Sequence, residues 1–113
     1  MRQASLESSV INEYLNQEIE VVAQVKTDPS KTSSGNYSFT ARLLTFNAAD
    51  KSFKVRTPIR IISKKSIELL PGQKISAVAT AIKSKEARVA ALVIVNGEIQ
   101  YHVFHYIFVI FYR

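Results

Sequence analysis

The side chains that could do chemistry in this chain are mostly cations. Arg42, Lys54, Arg56 and Arg60 fall in two stretches where apolar residues alternate with polar ones, always on the polar parity. Lys83, Lys85 and Arg88 crowd a single turn. Cations on one face of paired strands repel one another unless an anion sits between them. A polyanion such as nucleic acid, or an acidic membrane face, relieves that repulsion. Stacking on bases would also need exposed aromatic rings. Tyr37 and Phe46 flank the same stretch, and Phe46 carries outward parity. The competing arrangement puts Tyr37, Phe39 and Phe53 in the core and leaves the charges as a solvated surface.

Other chemistries have little to work with. Catalysis needs acids, bases and nucleophiles in a cluster. The acidic residues are scattered, and the serine-rich run around Gly35 has no base to partner it. His102 and His105 are the only histidines. On a strand, their spacing sends them to opposite faces, so they cannot share a metal ion there. The chain is therefore expected to be no enzyme and to hold no metal or other cofactor. It has no cysteine, which rules out disulfides and thiolate metal sites.

The charge distribution points the same way. The net charge is +6 over 113 residues. Residues 26–88 hold thirteen basic side chains against Asp28, Asp50, Glu68 and Glu86, whereas residues 1–25 are net acidic and residues 89–113 balance. The cationic field belongs to the middle of the chain. The apolar share of 47% fits one globular domain of this length. The first residues are too polar for a signal peptide.

Several elements must position these cations. Residues 4–16 read as a short helix capped by Ser5, with Leu6, Val10, Ile11, Tyr14 and Leu15 along one side. Residues 17–26 alternate with period two and read as a strand. Asp28 to Asn36 is a run of turn formers and reads as a flexible loop. Strands follow over 37–46 and 52–62, joined by a short hairpin at 47–51. Pro58 has no amide donor and belongs outward, at an edge or a bulge. Residues 63–69 suit a helical turn, and Leu70-Pro71-Gly72-Gln73 suits a type II turn. Strands over 74–83 and 88–95 complete the set. Ala77, Ala79 and Ala81 in the first of these suggest tight packing, and Asn96-Gly97 is a two-residue hairpin signal.

Five strands at even spacing, with a long gap between the third and fourth, predict an all-β Greek-key barrel of the OB type with a short N-terminal helix. An SH3-like barrel is the nearest alternative. In OB barrels the face of the second and third strands, with the loops after the first and fourth, holds oligonucleotides. The basic residues map onto that region. The barrel would span 17–100, after a helical segment over 1–16.

Residues 101–113 are nearly all apolar or aromatic up to Tyr112. The run falls well short of the roughly 20 residues a membrane helix needs. Its β-branched and aromatic content favours a sixth strand continuing the hairpin at Asn96-Gly97. Exposed, it would invite aggregation, so it is expected to pair within the barrel or across a homo-oligomer through residues 101–112. It could also begin a membrane span in a longer protein.

The order of motifs resembles the N-terminal soluble domain of the ComEC family, the inner-membrane DNA channel of bacterial competence. The resemblance covers about residues 15–100. It rests on Glu18-Ile19-Glu20-Val21-Val22-Ala23-Gln24-Val25 followed by Asp28-Pro29, then Val55-Arg56-Thr57-Pro58-Ile59, Leu69-Leu70-Pro71-Gly72-Gln73-Lys74-Ile75, and Ala87 through Gly97. It implies an OB fold on the extracytoplasmic face of the cytoplasmic membrane, contact with incoming single-stranded DNA, and a membrane channel domain as partner. Transport and any nuclease activity would belong to domains outside this sequence. The alternative is a structural or protein-interaction barrel that docks through its hydrophobic C-terminal segment.

Overall fold

Alternation of apolar and polar residues builds a barrel in the computed structural model, which describes residues 10–101. Strand β1 is Glu18–Val25, and the two-residue β2 is Ser30–Lys31. The long strands β3, Tyr37–Ala48, and β4, Lys51–Ser63, are followed by β5, Lys74–Lys83, β6, Ala91–Val95, and β7, Gln100–Tyr101. Their order is β1-β3-β4-β6-β5, and β5 pairs back onto β1, so the sheet closes on itself. All the main pairings are antiparallel except β4 with β6. This closed five-stranded Greek-key barrel is an OB fold.

Period two decides which side chains go inside. Ile19, Val21, Ala23 and Val25 of β1 are buried, as are Val55, Thr57, Ile59 and Ile61 of β4. Ala77, Ala79 and Ala81 of β5 are buried as well, as are Phe39 and Phe46 of β3. The Thr57 hydroxyl is buried in this interior without a hydrogen-bond partner.

The chain departs from its expected layout at several points. The N-terminal helix is described from Val10 onward, where residues 10–12 are helical and a turn follows. Ile11 is fully buried and Tyr14 packs on Phe46 and Phe53, so this turn plugs one end of the barrel. The run from Asp28 to Asn36 is more ordered than its turn formers suggest. Ser30 and Lys31 pair with Ser38 and Tyr37, and Thr32 N donates to Asn36 O to close the hairpin. The helical turn expected over residues 63–69 does not form: Ser63 ends β4, and the chain after it is extended. Ile67 is half-buried, Leu69 buried and Leu70 68% exposed, which is the alternation of an extended chain. The strand expected over 88–95 starts at Ala91, as β6.

Asn96-Gly97 makes no hairpin. Asn96 N donates to Val78 O, and the chain runs on along β5, where Tyr101 pairs with Ile75 and Gln100 with Ser76. β7 thus prolongs the course of β6 beyond an irregular step. The hydrophobic run beyond Tyr101, with His102 and His105, lies outside the described residues.

One turn follows its chemistry closely, and one does not. Gly72 has φ +96°, and Gln73 N donates to Leu70 O, as a type II turn requires. The β3–β4 hairpin turns on Ala49 and Asp50, with φ 51° and 64°. Both values are positive, the geometry of a type I′ turn that favours Asn-Gly. Alanine is strained there because its Cβ crowds the backbone. Replacing the pair (Ala49→Asn with Asp50→Gly) is expected to stabilise the fold by about 1 kcal/mol. A shift of the urea midpoint to higher concentration at unchanged m-value checks it; a lower midpoint would contradict the turn assignment.

Candidate nucleic-acid interface

The outward face of β3 and β4 carries the cations that the alternation predicted. Arg42, Lys54 and Arg56 are exposed. In register, Arg42 stands opposite Pro58 and Thr40 opposite Arg60. Arg42 is therefore diagonal to Arg56 and Arg60, a relation that places Cβ atoms about 7–8 Å apart. Pro58 tolerates its place between them. Its carbonyl accepts from Ala90 N on the β6 side, so its missing N–H faces a region where the ladder only begins, at Arg60 with Leu92.

Neutral residues line this strip on the β1 side. Gln24 pairs with Arg42 and Val22 with Thr45; an acid enters only at Glu20, whose carboxylate accepts from Asn47 Nδ2. Among the described residues, no acid is ion-paired with Arg42, Lys54 or Arg56.

Arg60 differs from the other three. Its Nε and Nη2 donate to both oxygens of Glu86, at 2.6 and 3.0 Å, and its Nη1 donates to Ser38 Oγ at 3.0 Å. The hydrogen bond from Arg60 holds the Glu86 carboxyl below the usual carboxylate range, and Glu86 in turn raises the pKa of Arg60 further. The pair is therefore ionised at neutral pH. The free cationic strip thus consists of Arg42, Lys54 and Arg56, with Arg60 already engaged.

The turn between β5 and β6 lies against this face through the Arg60–Glu86 pair and the Ala90–Pro58 backbone bond. It carries Lys83, Lys85 and Arg88, all exposed. On the other side, the loop after β1 is fastened by Thr27, whose hydroxyl accepts from Thr40 N at 3.0 Å. Lys26 N donates to Thr40 O. Lys26 and Lys31 in this loop are exposed cations that parity reasoning missed, because neither lies in one of the long strands. Their signal was positional: the loop after the first strand of an OB barrel borders the binding face.

The aromatic component is small. Phe46 is fully buried and stacks on Phe53 at 4.9 Å, so the expectation that it points outward is overturned. The cause is a register shift at Leu44, present against β1 between Val22 and Ala23 and against β4 between Leu43 and Thr45. Beyond it the alternation of β3 is inverted, and Phe46 turns inward opposite Phe53. Tyr37 is half-buried at the start of β3, in register between Lys31 and Ser63. It shares the strand parity of Phe39, Ala41 and Leu43, opposite to that of Arg42.

No family model matches this chain, and no curated protein does. Among solved structures, two of the protein PriB from Ralstonia solanacearum align with it at a TM-score of 0.46. Their sequence identities are 13% and 14%, and the alignments cover 75% of this chain and 96% and 97% of theirs.

Proposed function

We propose that this domain is a non-catalytic binding module for single-stranded DNA, held chiefly through its phosphates on the β3–β4 face. The observation that carries the reading is that Arg42, Lys54 and Arg56 share one exposed face with no acid ion-paired to them among the described residues. Two further supports are the basic turn with Lys83, Lys85 and Arg88 on one flank and the loop with Lys26 and Lys31 on the other. The face is two strands wide, about 5 Å between strand axes, which suits one nucleic-acid backbone. With few rings available, affinity would come from charge and carry little sequence preference.

The motif order shared with the ComEC family extends the proposal. In that setting the module would lie at the extracytoplasmic face of a bacterial cytoplasmic membrane and meet DNA entering a channel domain.

A salt-titrated binding curve on a labelled oligothymidylate tests the proposal. Three to six phosphate contacts should give a log–log slope of about −2 to −4, at roughly 0.7 per phosphate. A flat curve, or no binding at low salt, would overturn it. A concentration-dependent dimer accompanying that result would favour docking through residues 101–112.

A further inference from the structure

The turn between β5 and β6 presents an electrostatic conflict. Lys83, Lys85 and Arg88 lie on it, and it rests beside a face that already carries Arg42, Lys54 and Arg56. Like charges at such separations repel. Glu86 is the only acid between Lys83 and Ala91, and it supplies the ion pair that tethers the turn. The local chain presents it: Glu86 N donates to Ser84 Oγ at 3.0 Å.

The contact has the form of an anion site. Glu86 offers two oxygens to the Nε and Nη2 edge of Arg60, and a phosphodiester offers the same two-oxygen fork. Ser38, only 8% exposed, fixes the guanidinium from beneath by accepting from Nη1. Arg60 and Glu86 keep 30% and 43% of their side-chain surface open to water. The carboxylate can therefore leave without exposing a dry interior, while Arg60 stays aimed.

We propose that Arg60, held by Ser38, forms a phosphodiester subsite whose resident anion is Glu86, and that an incoming nucleic-acid phosphate displaces Glu86 and takes over both N–H groups. The displaced turn then keeps Lys83, Lys85 and Arg88 beside the bound backbone, so one acid latches a basic flap until a polyanion arrives. This rests on the nucleic-acid reading of the β3–β4 face and assigns the chemistry of one position within it.

The test compares oligothymidylate affinity of the wild-type chain, Glu86→Gln, Glu98→Gln, Arg60→Gln and the Arg60→Gln/Glu86→Gln double variant. Glu98→Gln makes the same change in net charge at a surface acid paired with Lys65, away from this turn. Glu86→Gln is expected to tighten binding on the order of threefold, the scale of an exposed ion pair that no longer has to be broken. Glu98→Gln should leave affinity unchanged, and the gain from Glu86→Gln should vanish when Arg60 is also replaced. A thermal melt shows that each variant is folded. Unchanged or weaker binding by Glu86→Gln, or an equal gain from Glu98→Gln, overturns the subsite. If the wild type binds with a steep salt slope while Glu86→Gln gains nothing, only the subsite falls. If none of the variants binds, the reading of the whole face falls with it.

Discussion

Replacing Arg42 and Arg56 together by glutamine is expected to weaken oligonucleotide binding by about two orders of magnitude at low salt. Each is an exposed cation with no ion-pairing acid among the described residues, so its full charge is available to a phosphate. Charge-assisted hydrogen bonds of this kind contribute about 1.5 kcal/mol or more each, and two of them give the stated loss. The salt slope should flatten by about 1.4, because two phosphates keep their counterions. Glutamine is polar and unbranched like arginine, and both side chains are exposed, so the melting temperature should hardly move. Lys65→Gln, which removes a charge beside Glu98, should leave binding nearly intact. Equal losses from the double variant and from Lys65→Gln would mean that a diffuse field, and not this strip, attracts the ligand.

Phe46→Ala is expected to cost about 3–5 kcal/mol of stability, the range for truncating a fully buried aromatic ring. The ring is the centre of a triad, with Phe53 at 4.9 Å and Tyr14 edge-on at 5.9 Å. Tyr14 carries residues 10–16 onto the barrel end, so that turn should loosen along with the ring. Domains of this size have only about 5–15 kcal/mol in hand, so a large share of the margin would go. Urea denaturation followed by circular dichroism measures it. A variant that folds normally and loses only oligonucleotide binding would show that Phe46 points to solvent after all, and that the register of β3 beyond Leu44 is wrong.

How much was legible beforehand differs by element. The five barrel strands stood out because each buries one side only, and β5 was placed at its observed ends from the alternation of Ile75, Ala77, Ala79 and Ala81. The shift at Leu44 was not legible. No glycine or proline marks it, and it arises from how β1 and β4 both meet β3, which a single stretch of sequence does not encode. That shift alone reversed the assignment of Phe46. Asn96-Gly97 is a strong local turn signal, but the free edge of β5 beyond Ala79 offered a longer ladder, and tertiary pairing won. Lys64 to Leu70 has helix-forming residues, yet Leu69 satisfies the core in an extended chain. Lys54 and Arg56 of β4 are exposed as the alternation predicts, because that strand keeps its parity throughout. The pairing of Arg60 with Glu86 spans 26 positions and joins two residues of a generally charged surface, so no pattern announced it.

The closure of β1 onto β5 also governs how the molecule comes into being. Glu18 meets Thr80 and Gln24 meets Lys74, so the partner for one side of β1 is synthesised some fifty residues after it. As the chain leaves the ribosome, β1 can pair with β3 early but keeps a bare edge until residues 74–80 emerge. Assembly of such distant partners is slow compared with local hairpins. The vulnerable interval of this protein therefore lies in its birth, when the unfinished barrel is most open to pairing with a neighbouring nascent chain.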